Sequence, residues 1–392
     1  MYKNLAFIIP GLKNGGAERV LSTLSLNLNK NIKQYIFTWD GKEKDYDFNS
    51  EIIDFNIINS KNILINIFVL INRVIKARKY KKKYNIDTSI SHLEGANIVN
   101  ILSRRKDKII ITVHNFQTLE RNGGYGFIFK ILIRLLYNKA DIIVAVSEEI
   151  KEDLIENFNI EKQKIKVIYN PFDVNQINEL SKEEIDNDEK YIFSSPVIIN
   201  VGRLTKQKGQ WHLIKIIEIL KKDIPNIKLL ILGKGELEKE LKKMIVDLGL
   251  EDNVILMGFK NNPFKYIRNS DIFALTSLYE GFPMCLVEAM ACETPVISVD
   301  CKSGPREILS DYESERNSNI KSYSFEEYGV LCKKFETDKQ YENYLSEEVY
   351  AEAIKKLLED EKRLKDYRKK GIIKAKSLDV KNIILLWESI IF

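Results

Sequence analysis

Residues 271–300 read DIFALTSLYEGFPMCLVEAMACETPVISVD, and this stretch holds one complete strand–helix–strand unit. The apolar run DIFALTS ends near Ser277, Glu280-Gly281-Phe282 forms a turn, and Pro283 suits the first turn of a helix carrying Met284, Leu286, Val287 and Met290. TPVISVD is the next strand. Strands that are apolar on both faces and separated by a helix build a parallel sheet covered on both sides. Ligands of such sheets bind beyond the carboxyl ends of the strands, so Glu280 falls in a ligand-facing loop. Glu288 lies roughly one and a half turns into an apolar helix. A carboxylate near a helix start can simply serve the dipole, which is the plain reading of Glu280 taken alone. Glu288 needs hydrogen-bond donors among those apolar neighbours, and ligand hydroxyls would supply them.

The same rhythm runs outward in both directions. PVIINVG, IKLLILG and NVILMG precede the opening stretch, and LAFIIP, DTSIS, KIIITVH, ADIIVAVS and KIKVIYN occupy the first half. With 392 residues, 44% of them hydrophobic, the chain is long enough for two cores. The expected class is α/β, with two doubly wound Rossmann-like domains facing each other across a cleft. Residues 1–172 form the first domain, the polar and acidic stretch 173–195 a linker, and 196–375 the second domain. A helix over 376–392 is expected to cross back to the first domain.

Four further loops follow strands. In the first, Gly15 and Gly16 precede a helix whose face includes Val20, Leu21, Leu24 and Leu28. Glycines at a helix start let a phosphate approach free N–H groups, although a Gly-Gly turn is also plain turn chemistry. The second, VGRLTKQKG, places Gly202, Arg203 and Lys208 between a strand and a helix, where two cations can clamp a diphosphate. The third has Gly233, Gly235 and Glu236, and the fourth Gly258 and Phe259; either could receive a nucleobase or be a simple turn.

Composition narrows the class. The four cysteines Cys285, Cys292, Cys301 and Cys332 form no C-x-x-C pair and no zinc spacing with the three histidines, which implies free thiols in the cytoplasm. The apolar run near Met1 is broken by Pro10 and Gly11 and reads as a buried strand, not a signal peptide. Net charge is +5, but residues 1–170 carry 27 Lys/Arg against 18 Asp/Glu, so the first half is basic. Much of that charge lies in KNILINIFVLINRVIKARKYKKKYN, which mixes Ile63, Ile67, Leu70, Ile71, Val74 and Ile75 with Arg73, Lys76, Arg78, Lys79, Lys81, Lys82 and Lys83. This is the pattern of a helix resting on an anionic membrane surface, or of a core helix with a solvated basic end. GFIFKILIRLLYNKA adds apolar residues beside Lys130 and Arg134. Nucleic acid is not an expected partner, because the basic run lacks interleaved stacking aromatics beyond Tyr80 and Tyr84.

GGAERV, VSEEIKEDL, VIYNPFD, VGRLTKQKG, SGPREIL and above all Glu280 and Glu288 within YEGFPMCLVEAMACETPVIS together resemble the retaining GT-B glycosyltransferases of family 4. The resemblance covers nearly the whole chain. It implies transfer of a hexose or N-acetylhexosamine from a nucleotide-sugar, UDP-linked, to a growing polyprenyl-diphosphate-linked glycan such as capsule, O-antigen or protein glycan. By the same resemblance Arg203 and Lys208 hold the diphosphate with Gly15 and Gly16 facing them, and Glu288 accepts from the ribose hydroxyls. Glu280 accepts from a sugar hydroxyl, Phe282, Met284 and Cys285 contribute backbone N–H groups beside Gly281 and Pro283, and His114 in ITVHN approaches the donor sugar. The leaving phosphate would take the acceptor's proton, with no cofactor and no metal required.

Two D-x-D matches, Asp45/Asp47 and Asp186/Asp188, lie in polar loop sequence and are not expected to bind metal. His92, Glu94 and Asn97, after the strand DTSIS, are candidate acceptor contacts. The expected location is the cytoplasmic face of the cell membrane, peripherally bound. The rival readings are a non-catalytic protein docking on anionic lipid or nucleic acid, and an epimerase or hydrolase on the same fold.

Overall fold

The computed structural model describes residues 3–13, 15–60, 62–120, 124–311, 320–335 and 345–392. The chain forms two compact units, one of residues Met1–Phe172 with Leu378–Phe392 and one of Asp173–Ser377.

The first unit contains β1 (Lys3–Ile8), β2 (Gly11–Leu12), β3 (Ile32–Thr38), β4 (Asp40–Lys44), β5 (Glu51–Asp54), β6 (Thr88–His92), β7 (Lys108–Val113), β8 (Ile142–Ala145) and β9 (Ile165–Val167). Seven of them make one sheet in the order β5-β3-β1-β6-β7-β8-β9, paired in parallel throughout, while β2 and β4 form a small separate pair. Successive residues of β6 and β7 are buried on both faces, as a parallel sheet covered by helices requires. At Phe172 the backbone bridges to Asp379, and the helix Val380–Ile391 buries Val380, Ile383, Trp387 and Ile391 while packing on the helix Gly16–Asn27.

The second unit contains β10 (Val197–Val201), β11 (Lys228–Leu232), β12 (Val254–Gly258), β13 (Ile272–Leu275), β14 (Val296–Val299), β15 (Tyr323–Phe325) and β16 (Val330–Cys332). The order is β12-β11-β10-β13-β14-β16-β15, with only β15 antiparallel. Trp211, Leu229, Ile231, Val254, Ile272, Ile297 and Tyr350 share its core. The strand order reverses direction at β10, between β11 and β13, and a doubly wound sheet binds its ligand at such a switch point.

Two sequence expectations need correction. Residues 173–195 are not a free linker: the helix Val174–Ser181, capped by Asp173 through Gln176 N at 2.9 Å, buries Val174 and Ile177 against the helices Phe264–Arg268 and Met284–Ala291. Further along, Glu189 pairs with Lys260 at 2.7 Å and accepts from Tyr266 Oη at 2.6 Å. An acidic composition hid an apolar pair at helical spacing.

The basic helix Ile63–Lys83 also gives two of its cations to the core. Arg73 stacks over the Trp39 ring at 4.4 Å and donates to the Ile57 carbonyl, and Lys81 pairs with Asp107 at 2.7 Å with both side chains buried. Ile65, Ile67, Phe68, Ile71 and Ile75 of the same helix are exposed. Among the described residues no helix is long and apolar enough to cross a membrane.

Candidate active site

Three loops at the carboxyl ends of β10, β13 and β14 are tied to one another by their backbones. The turn Lys206–Lys208 ends in Gly209 at φ +61°, where a Cβ would overlap the Thr276 carbonyl. Leu278 N donates to Gln207 O at 2.8 Å, Gln207 Nε2 to Tyr279 O at 3.0 Å, and Thr276 Oγ1 to Gly209 O at 3.1 Å. On the other side Glu280 N donates to Lys302 O at 2.9 Å, Ser303 N to Glu280 O at 3.0 Å, and Ser303 Oγ to Gly281 O at 2.6 Å. Arg306 anchors the third loop on Asp300, with Nε to Oδ1 at 3.1 Å.

This stitching places Lys208 Nζ 2.6 Å from Glu280 Oε1, and Ser277 Oγ donates to the same oxygen at 2.6 Å. Burial alone would lower the lysine's pKa, but the charge and hydrogen bond of Glu280 outweigh it, and the net shift is upward. Arg203, exposed after β10, opposes the effect through its own positive charge. Burial pushes the Cys285 thiol up to about 12; Lys208 opposes that rise while Glu280 and Glu288 add to it. Lys208, Glu280, Cys285 and Glu288 therefore share one electrostatic environment. Two cations and a carboxylate in the loops after β10 and β13, with Glu288 on the helix that follows, can hold an anionic diphosphate and accept from hydroxyls.

The remaining second-unit candidates frame that cluster. Gly281, Phe282 and Pro283 are buried, and Met284 and Cys285 open the helix Met284–Ala291, partly exposed. Glu288 is buried on that helix. Gly202 packs under β11's loop: a Cβ on Gly233 would overlap the Gly202 carbonyl, and one on Gly235 the Leu204 carbonyl. Gly258 ends β12 at φ +67° and accepts from Gly233 N at 2.8 Å, with Phe259 exposed beside it. Sequence reasoning missed Ser277, whose signal was a hydroxyl two residues past the end of β13 and three residues before Glu280.

Gly15, Gly16 and His114 belong to the first unit. Gly15 caps the helix Gly16–Asn27 in an extended conformation, and a Cβ there would overlap the Glu18 carboxylate. His114, after β7, is almost wholly buried, which holds its imidazole down at about 4; its Nε2 lies 2.9 Å from His92 Nδ1. The acceptor-contact reading fails for His92 and Asn97, neither of which has exposed surface. Asn97 instead braces the sheet, donating to Thr112 O at 3.0 Å and Tyr137 Oη at 3.2 Å, and Glu94, also buried, accepts from Gln117 Nε2 at 2.9 Å. His92 points inward from the end of the central strand β6, and Glu94 and Asn97 from the buried face of the following helix Glu94–Leu102.

Among the described residues no group of three or more His, Cys, Asp or Glu is placed to hold a metal ion, and Asp45, Asp47, Asp186 and Asp188 are exposed.

Two Rossmann-like units with polar loops gathered at strand carboxyl ends define the GT-B architecture. The description "Glycosyltransferase Family 4" matches residues 14–176, and "Glycosyl transferases group 1" matches 181–374. An uncharacterized glycosyltransferase of Methanocaldococcus jannaschii is 35% identical over 87% of both chains. The N-acetylgalactosamine-N,N'-diacetylbacillosaminyl-diphospho-undecaprenol 4-alpha-N-acetylgalactosaminyltransferase of Campylobacter jejuni is 32% identical over 96% of both. Among solved structures, Anabaena HepE in complex with UDP superposes with a TM-score of 0.75 at 20% identity, covering 99% of each chain. The chain belongs to the GT-B glycosyltransferases, with a family 4-type first domain.

Proposed function

We propose that this glycosyltransferase moves a hexose or N-acetylhexosamine from a UDP-linked donor to a growing polyprenyl-diphosphate-linked glycan, with retention of anomeric configuration. The observation that carries the donor reading is the cluster of Lys208, Glu280 and Ser277, with Arg203 and Glu288 in the same field. Lys208 and Arg203 stabilise the diphosphate as negative charge develops on it, Glu288 accepts from the ribose, and Glu280 from the sugar. Two side-chain cations take the part a divalent metal would play. His114, on the first unit, is assigned to the donor sugar by the family resemblance alone. The leaving phosphate accepts the proton of the attacking hydroxyl.

The C. jejuni relative supports the acceptor class and the α-linkage, since its name carries both a diphospho-undecaprenol acceptor and a 4-alpha transfer. The exposed Ile65, Phe68, Ile71 and Ile75, followed by Arg78, Lys79, Lys82 and Lys83, support a peripheral seat on an anionic membrane, where such an acceptor resides.

Calorimetric titration with UDP, GDP and ADP tests the donor, with Arg203→Ala as control. UDP binding that weakens at least tenfold in the variant is the expected result, on the scale of a lost charge-assisted hydrogen bond. Selective GDP or ADP binding would change the donor and keep the enzyme class. Transfer from UDP-sugars to a lipid-diphosphate glycan, unchanged by a chelator, is the second arm; release of free modified sugar without an acceptor would instead mark an epimerase or hydrolase.

A further inference from the structure

We infer that His92 is a positioning residue that fixes the tautomer of His114, donating from its Nδ1–H to His114 Nε2 so that His114 presents an Nδ1–H to the donor sugar. The inference rests on the reading of His114 as a sugar-lining residue. It turns on one shared proton. The two nitrogens lie 2.9 Å apart, so one ring donates and the other accepts.

If His114 donated from Nε2, the neutral His92 ring would carry its proton on Nε2. That atom is buried with no partner among the described residues. A buried N–H without an acceptor is rarer and more costly than a bare ring lone pair.

Both rings stay neutral because burial disfavours their charged forms, so each carries one proton. With His92 protonated on Nδ1, the proton of His114 sits on its own Nδ1. That atom makes no hydrogen bond among the described residues, and the residue as a whole is 8% exposed. His114 is therefore a hydrogen-bond donor to a sugar or phosphate oxygen and not a general base. This agrees with a reaction in which the leaving phosphate removes the proton.

The test is long-range ¹H–¹⁵N correlation on protein labelled with ¹⁵N-histidine. With only His92, His114 and His212 in the chain, single substitutions assign every signal. At neutral pH, protonated Nδ1 and bare Nε2 on both His92 and His114 are expected; an Nε2–H signal for His114 would overturn the inference. His92→Asn, whose amide N–H occupies the place of Nδ1–H, should hold the tautomer and most of kcat. His92→Phe should lose about tenfold in kcat, the worth of one hydrogen bond. Equal losses in the two variants would also overturn it. Full transfer by His114→Ala would instead remove the sugar-lining reading and leave the tautomer assignment standing, so the two failures are distinguishable.

Discussion

Lys208 and Glu280, 72 residues apart in the chain, form a 2.6 Å ion pair in the free protein, and Ser277 donates to the same carboxylate oxygen. The cation assigned to the diphosphate is thus held by the carboxylate assigned to the sugar. The two substitutions should act on nucleotide binding with opposite sign. Glu280→Gln releases Lys208 and should bind UDP as tightly as the native protein or more so, while losing about 10²–10³ in transfer rate. Lys208→Met should weaken UDP binding about tenfold. Titration calorimetry beside a transfer assay separates these outcomes; weaker UDP binding in Glu280→Gln would show that the pair is not a competition.

Stability should depend on pH through His114. Its folded pKa is about 4, against about 6.5 for an unfolded histidine. Below 6.5 the unfolded chain takes up a proton that the folded ring refuses, so the contribution is complete above pH 6.5 and is lost as pH falls toward 4. The span corresponds to about 3 kcal/mol. Urea unfolding between pH 7 and pH 4 should show a shallower fall for His114→Gln than for the native chain, and parallel curves would contradict the assignment.

The buried pair Lys81–Asp107 makes a sharper stability claim. Asp107 also accepts from Ser89 at 2.7 Å, and Lys81 donates to Asn100 at 2.7 Å, so the pair is fully embedded. Removing the carboxylate leaves an ammonium with no counter-charge, at a cost of about 3–5 kcal/mol. Burial already draws Lys81 down to about 8 despite Asp107. Without its partner the folded lysine sheds its proton more readily than the unfolded one, so the penalty of Asp107→Ala should shrink from pH 7 to pH 9. A penalty independent of pH would mean that Lys81 stays charged.

The proposed membrane seat is tested on the exposed stripe of the helix Ile63–Lys83. Phe68→Asn combined with Ile71→Asn and Ile75→Asn removes apolar surface that already faces solvent, so the melting temperature should hardly move. Co-sedimentation with anionic phosphatidylglycerol vesicles should fall at least tenfold, and Lys79→Gln with Lys82→Gln should weaken it by about 1 kcal/mol per charge. Unchanged sedimentation of both variants would discard the stripe as the attachment site.

Much of the fold was legible because parallel strands buried on both faces leave near-continuous apolar runs. β1, β7, β8, β10, β11, β13 and β14 all coincide with such runs. β3 and β5 were not named in advance. Lys33 and Gln34 interrupt IKQYIFT after Ile32, and EIID is an edge strand with two exposed residues, so neither has the uninterrupted signal. Within the site, Glu280 and Glu288 were legible because carboxylates in an apolar βαβ unit demand partners. Ser277 was not, since a serine in the loop after a strand is ordinary.

The sequence by itself determined the two α/β units, the glycosyltransferase family and the loops that hold its polar residues, because periodicity and short motifs are local properties. Tertiary structure decided which charges are buried in the core and which face solvent. Arg73 and Lys81 look like their neighbours Arg78 and Lys82 in the sequence, yet helix phase turns the first two toward Trp39 and Asp107 and leaves the others in solvent. Lys208 meets Glu280, and His92 meets His114, only because adjacent parallel strands bring distant loops to one sheet end. A hydrogen bond is set by distances of a few tenths of an ångström, and spacing along a chain carries no such information.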